Sequence, residues 1–111
     1  MKDVINESKN LNNRIKQSCE YRDYMEKRSE LLKYPDLHRQ LGEFKRRNNE
    51  LQNRQGINPY DEVIGLVKEY DELIHNSVVS DFMKAELRIC KMLQKLYESI
   101  AEGLEFDYLD E

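Results

Sequence analysis

Apolar residues recur every three or four positions along most of the chain, which is the period of amphipathic α-helices. The first segment with this pattern spans residues 3–33, and three of its apolar positions hold serine. We predict one continuous helix there. Its stripe consists of Val4, Ser8, Leu11, Ile15, Ser18, Arg22, Met25, Ser29 and Leu32, with an arginine as well as the serines in apolar positions.

A second helix is predicted from Pro35 and is expected to end at Gly56. Its stripe consists of Leu37, Leu41, Phe44, Asn48 and Leu51. Proline suits the first helical turn, where its missing N–H leaves no hydrogen bond unmade. The break at Tyr34 and Pro35 is therefore predicted to be the bend of a helical hairpin.

The second half of the chain repeats this arrangement. Asn58 is a predicted N-cap before Pro59 and a third helix, and Asn76 is a predicted cap before a fourth helix that ends around Gly103. The sequence thus predicts an all-α fold of two tandem helical hairpins, 3–54 and 59–102, in an antiparallel bundle with a long first helix. We expect a single domain over 1–103, followed by an acidic tail over 104–111. The predicted core contains Leu41, Phe44, Leu73, Phe82 and Leu93.

Composition supports this fold, because four glycines and two prolines among 111 residues leave few helix breakers. Charge is divided unevenly between the halves. Residues 1–58 carry 13 Lys/Arg and 9 Asp/Glu, whereas residues 59–111 carry 5 and 13. Net charges of +4 and −8 favour association between complementary surfaces.

The long first helix predicts a homodimer. A helix over residues 3–33 would measure about 46 Å, more than its shorter neighbours would cover. A second copy related by a two-fold axis would bury the remaining stripe. The predicted interface residues are Leu11, Ile15, Ser18 and Met25.

Candidate catalytic and metal-binding groups are sparse. Cys19 and Cys90 lie far apart in the sequence and are expected to be buried, reduced thiols. His38 and His75 each stand alone, the latter at a helix C-terminus, so we expect no metal, no cofactor and no catalytic residue. Gly42 and Gly65 fall inside helices, where close contact with a crossing helix would explain them.

An RNA-binding role is the alternative to a role in protein contact. The second helix carries a basic face, and its candidate RNA contacts are Arg39, Lys45, Arg46, Arg47 and Arg54. The local excess of positive charge is small and no aromatic residues are interleaved, so a solvated helix face accounts for the same residues.

The stretch "NLNNRIKQSCEYRDYMEKRSELLKYPDLHRQLGEFKRRNNELQ" resembles the first half of the YlbF/YmcA family of small helical bacterial proteins, and "ELIHNSVVSDFMKAELRICKMLQKLYESI" resembles its second half. The resemblance covers roughly residues 8–101. It departs from the family at Tyr34, where an acidic or Asn cap is usual, and in lacking the cysteine-rich C-terminal extension of some members. The matching residues are Leu11, Ile15, Ser18, Tyr21, Pro35, Leu37, Phe44, Leu73, Asn76, Val78, Val79, Phe82, Ala85, Glu86 and Leu93.

The resemblance implies a dimeric helical protein without an enzyme site. Family members regulate competence, biofilm formation and sporulation in Gram-positive bacteria through protein–protein contact, including complexes that assist the RNA-degrading machinery. We therefore expect a non-enzymatic regulatory adaptor. The N-terminus has no apolar signal core and no stretch is long enough to span a membrane, so we expect a cytoplasmic location.

Overall fold

A computed structural model describes residues 1–53 and 59–105. Within these ranges the chain forms six α-helices and no strand, which confirms the all-α class. The helices are α1 (Lys2–Gln17), α2 (Cys19–Leu32), α3 (Pro35–Asn53), α4 (Pro59–Glu69), α5 (Asp71–His75) and α6 (Ser77–Ala101).

The predicted first helix is not continuous, because it breaks at Ser18. This residue is extended (φ −69°, ψ 153°) and forms the N-cap of α2. Its hydroxyl donates to the Ile15 carbonyl at 2.6 Å and accepts from the Tyr21 N–H at 3.2 Å. One serine thus satisfies one backbone group at each of the two helix ends, which offsets part of the hydrogen bonding that a break costs.

The local signals for the other helix ends are confirmed where the structure describes them. Pro35 is the first residue of α3, and Pro59 is the first of α4. Asn76 caps α6, and Gly103 follows its end with a φ of +80°. The predicted third helix is divided at Tyr70, however, which separates α4 from α5 (φ −103°, ψ 24°). The predicted Asn58 cap, the end at Gly56 and most of the acidic tail (106–111) lie outside the described residues.

The most extensive packing joins α2 to α6, from opposite ends of the chain. Tyr24 contacts Phe82 with ring centroids 5.6 Å apart, and Arg88 Nη1 lies 3.2 Å from Asp23 Oδ2. The pKa of Lys27 is raised, first by its hydrogen bond with Asp23 and last by the charge of Asp81 on α6. Partners of later α2 residues lie earlier in α6, so the two helices are antiparallel. This pairing crosses between the predicted hairpins, and their tandem arrangement is not confirmed.

The core forms where α2, α3, α4, α5 and α6 meet. Its centre is Leu31 and Val79, which are almost completely buried. Four of the five predicted core residues are buried as expected, namely Leu41, Phe44, Leu73 and Phe82. The prediction for Leu93 is wrong, since 45% of this residue is exposed. It lies on the buried face of α6, at a level where no other helix covers that face.

Two further expectations are corrected, and the overall shape is a further finding. Cys19 and Cys90 are both exposed rather than buried. Gly42 and Gly65 are not in close contact with a crossing helix, since a Cβ built on either meets no atom within 4 Å. The molecule is also extended, measuring 49 × 39 × 17 Å with a radius of gyration of 18.2 Å. A compact domain of this length would have a radius near 13 Å.

Candidate interaction surfaces

Helix α1 is amphipathic, but none of its residues is buried. In the described parts of the chain, α1 packs against no helix other than α2, which follows it directly. Leu11 and Ile15 are half-buried on one side of the helix, and the exposed fractions of Val4 and Ile5 are 66% and 44%. The first helix of the chain therefore presents an apolar stripe to solvent.

The four predicted interface residues fall on two helices. Leu11 and Ile15 lie one turn apart on α1, Ser18 is the break itself, and Met25 lies on α2 with 36% of its surface exposed. The structure thus places Leu11 and Ile15 together on α1, and the break at Ser18 separates Met25 from that helix.

The distal part of α6 forms a second apolar surface, which we call the distal α6 face and define as Leu93, Leu96, Tyr97 and Ile100. The exposed fractions of Tyr97 and Ile100 are 68% and 63%, while Leu96 is half-buried. These positions continue the face that is buried at Phe82 and Ile89. Sequence reasoning missed this surface, because periodicity identifies the apolar side of a helix without showing whether anything covers it.

The candidate RNA contacts of α3 are paired with carboxylates. Arg39 Nη1 lies 2.8 Å from Glu43 Oε1 on the same helix, and Arg46 Nε lies 3.9 Å from Glu50 Oε1. Lys45 Nζ bridges to α6, 2.5 Å from Glu86 Oε2. Arg54 lies outside the described residues. Each of these described basic side chains thus forms an ion pair at the protein surface. The pairs of Lys45 and Arg47 join two helices.

Arg47 makes the most elaborate of these contacts. Its Nη2 donates to Glu69 Oε1 at 3.1 Å, and its Nη1 donates to the other carboxylate oxygen and to Tyr70 Oη. These hydrogen bonds, above all those that Arg47 donates to Glu69, hold the pKa of Arg47 above its ordinary value. The same bond lowers the pKa of Glu69. Tyr70 in turn packs on Phe44, with ring centroids 5.4 Å apart, so the pair fastens α3 to α4 and to the Tyr70 junction.

Lys45 also contacts the core. Its ammonium lies 5.4 Å from the centroid of Phe82, the residue that packs against Tyr24. A cation over an aromatic face is attracted by the negative charge of the ring face. Lys45 therefore helps to hold α3 against α6, which is a structural role for a residue first considered as an RNA contact.

Groups that could carry chemistry are dispersed. Among the described residues, no three His, Cys, Asp or Glu side chains are clustered in a way that could hold a metal ion. His75 lies at the C-terminus of α5, exposed and with Nδ1 2.9 Å from the Asp71 carbonyl. His38 is exposed on α3. No described helix is both long enough and apolar enough to cross a membrane.

Comparison with known proteins identifies the family. A relative, the UPF0342 protein STH1710 of Symbiobacterium thermophilum, is 28% identical over 96 residues, which cover 84% of this chain and 86% of the relative. None of the solved structures is significantly similar to the chain. The model of the family described as "Control of competence regulator ComK, YlbF/YmcA" matches residues 4–105. This match covers both α1 and the distal α6 face, and the chain belongs to the YlbF/YmcA family.

Proposed function

We infer that the protein is a non-enzymatic cytoplasmic regulator that acts by protein–protein contact and forms a homodimer through α1. The observation that carries this proposal is the exposed apolar stripe of α1, which packs against no other helix than α2 in the described chain. Apolar stripes of this kind gain free energy when another helix covers them. The family's link to control of the competence regulator ComK supports a regulatory role.

The charged groups favour contact over catalysis. In the part of the chain that the structure describes, the groups with a perturbed pKa are Lys27, Arg47 and Glu69, and each belongs to an ion pair at the surface. Catalytic acids and bases are usually perturbed by burial in a cleft, together with a specific charged partner. Pairs such as Arg47 with Glu69 instead hold helices together, as their position between α3 and the end of α4 indicates.

Direct RNA binding has less support. A phosphate would have to compete with Glu43, Glu86 and Glu69 for the basic side chains of α3. Proteins are therefore better supported than RNA as partners. The family resemblance implies that the RNA-degrading machinery is one of these protein partners.

The dimer is tested by light scattering coupled to size exclusion. We expect a mass of two chains at tens of micromolar protein. Leu11→Asp with Ile15→Asp should yield one chain mass with unchanged helix content by circular dichroism, because α1 contributes no buried residue. Asn13→Asp with Gln17→Asp is the matched control: it places two carboxylates with the same spacing on the other side of α1, and it should stay dimeric. A mass of one chain for the unmodified protein would contradict the dimer.

Regulation through proteins is tested by affinity capture from the native host. The tagged protein is compared with the Leu11→Asp, Ile15→Asp variant, before and after nuclease treatment and at low and moderate salt. Specific proteins that remain after nuclease at moderate salt would support the proposal. Retention that depends on RNA and falls steeply with salt would instead support the RNA-binding alternative.

A further inference from the structure

The buried face of α6 continues beyond the helices that cover it. Phe82 and Ile89 are 7% and 6% exposed, and the same face runs on through Leu93, Leu96 and Ile100 at intervals of four and three residues. Along this continuation the exposed fractions are 45% at Leu93 and 63% at Ile100, while Leu96 is half-buried. The distal α6 face therefore has the character of a core surface without a covering helix.

The apolar stripe of α1, by contrast, belongs to a helix that packs against only α2 in the described chain. Val4, Leu11 and Ile15 are spaced by seven and four residues, so they follow one side of the helix. Over the eleven residues from Val4 to Ile15 the stripe extends about 16 Å. The distal α6 face is shorter, about 10 Å over the seven residues from Leu93 to Ile100, so it can receive the part of the stripe that contains Leu11 and Ile15.

The register of α2 on α6 shows how the two surfaces correspond. Tyr24 lies against Phe82, and Asp23 is paired with Arg88. Continuing this antiparallel register past the start of α2 would place Ile15 opposite Leu93 and Leu11 opposite Tyr97. The α1 stripe is thus in phase with the distal α6 face. In this chain the break at Ser18 directs α1 away, and α1 packs against no part of α6.

We propose that two copies of the protein exchange their α1 helices, so that each α1 covers the distal α6 face of the other copy. This inference deepens the proposed function, on which it rests, by naming the surface that receives α1. Exchange of an identical element is a common route to closed dimers, and Ser18 is the hinge. The two contacts are equivalent by symmetry, as a two-fold dimer requires.

Charge also favours α1 as the occupant of the distal α6 face. Residues 2–17 carry four basic and two acidic side chains, whereas residues 93–105 carry one basic and three acidic ones. A net positive helix would therefore meet a net negative surface, while two α1 helices or two α6 ends would repel each other. Because the break at Ser18 directs α1 away from its own α6, the α1 that meets this face is that of a second copy.

Disulfide trapping on the purified full chain tests the exchange. In a Cys19→Ser, Cys90→Ser background, one variant carries Ile15→Cys and another carries Leu93→Cys. The two are unfolded and refolded together, then oxidised. We expect a disulfide-linked species of twice the 13.4 kDa chain mass on a non-reducing gel. Because each chain has one thiol of the pair, this bond can form only between copies. The matched control replaces Ile15→Cys by Asn13→Cys, on the other side of α1, and should cross-link at least tenfold more slowly.

A single chain with both Ile15→Cys and Leu93→Cys then distinguishes the possible arrangements. Cross-linking at the mass of one chain would show that α1 folds back on its own α6, which would overturn the exchange. A protein that is dimeric by light scattering but gives no cross-link above the Asn13→Cys control would overturn it as well, and the proposed regulatory dimer would stand. Circular dichroism of the reduced variants confirms that each one is folded before oxidation.

Discussion

Tyr24 and Phe82 pack against each other with ring centroids 5.6 Å apart, and they join the first half of the chain to the last helix. Lys45 approaches Phe82 at 5.4 Å from the ring centroid. Helices α2, α3 and α6 thus meet at one aromatic ring. Phe82 is only 7% exposed and belongs to the buried core, so stability should depend strongly on this junction.

Phe82→Ala should reduce the free energy of unfolding by about 3–5 kcal/mol, because it leaves a cavity between three helices. Urea denaturation followed by circular dichroism measures the change. Leu87→Ala on the same helix is the control, since 55% of Leu87 is exposed, and it should cost less than about 1 kcal/mol. Equal effects of the two substitutions would contradict the position of Phe82 in the core.

Asn76→Ala should destabilise the protein by about 1 kcal/mol. The Asn76 side-chain oxygen accepts hydrogen bonds from the Val78 N–H at 2.9 Å and the Val79 N–H at 3.2 Å, and alanine would leave both donors without this partner. The difference is measured by thermal or urea unfolding. Asn76→Asp keeps an acceptor oxygen in place and should retain most of the stability. A loss as large as that of alanine would argue against a capping role.

Gly42→Ala should stabilise the protein by about 0.5–1 kcal/mol. The glycine lies within α3 with open space where a Cβ would be, so alanine restricts the unfolded chain at no steric cost. Gly103→Ala is the contrasting control, because a φ of +80° strains any residue with a Cβ. Destabilisation by Gly42→Ala would show that another group occupies that space.

The ion pair between Arg47 and Glu69 should make part of the stability depend on pH. The pKa of Glu69 is lowered from an ordinary value of 4.5 by the hydrogen bond with Arg47. A group whose pKa is depressed on folding contributes its full stabilisation above the unfolded pKa, and the contribution is lost as the pH falls through the folded pKa. Glu69→Gln should therefore lower Tm near neutral pH, and the difference from the unmodified protein should shrink as the pH is brought from about 6 to about 3.

Glu50→Gln is the control for this pH series, since Glu50 reaches Arg46 at only 3.9 Å and both side chains are exposed. It should leave Tm nearly unchanged at every pH. Added salt should reduce the effect of Glu69→Gln, because the Arg47 pair lies at the surface and is screened. A Tm difference that stays constant with pH would show that the carboxylate charge is not its cause.

Features set by local chemistry could be predicted from the sequence. Asn76 caps α6 because its side chain accepts hydrogen bonds from N–H groups at the helix start. Pro35 begins α3 because it has no N–H that would be left without a partner there. The break at Ser18 could not be predicted in the same way. Serine is tolerated inside helices, and the apolar spacing continues from Ile15 past this residue. The pattern therefore does not show whether Ser18 caps a new helix or is a small side chain within one continuous helix.

Burial at the end of α6 could not be predicted either, for a different reason. Leu93 has the spacing of a core residue. Whether it is buried depends on the direction of α1, which is set by the break at Ser18 and not by the spacing. The pairing of α3 cations also depends on tertiary structure, since the partner of Lys45 is Glu86, 41 positions later. Periodicity identifies the apolar sides of helices, but which sides meet is decided by packing between distant segments.

The antiparallel contact between α2 and α6 also determines when this protein can fold during synthesis. Tyr24 and Leu31 emerge early from the ribosome, but the residues that bury them, Val79 and Phe82, are added about fifty positions later. Until then α2 has only neighbouring helices to pack against, and the large loop between the two must be closed at an entropic cost. The nascent chain therefore exposes the apolar side of α2 for most of its translation, and stable structure should form only when α6 has left the exit tunnel.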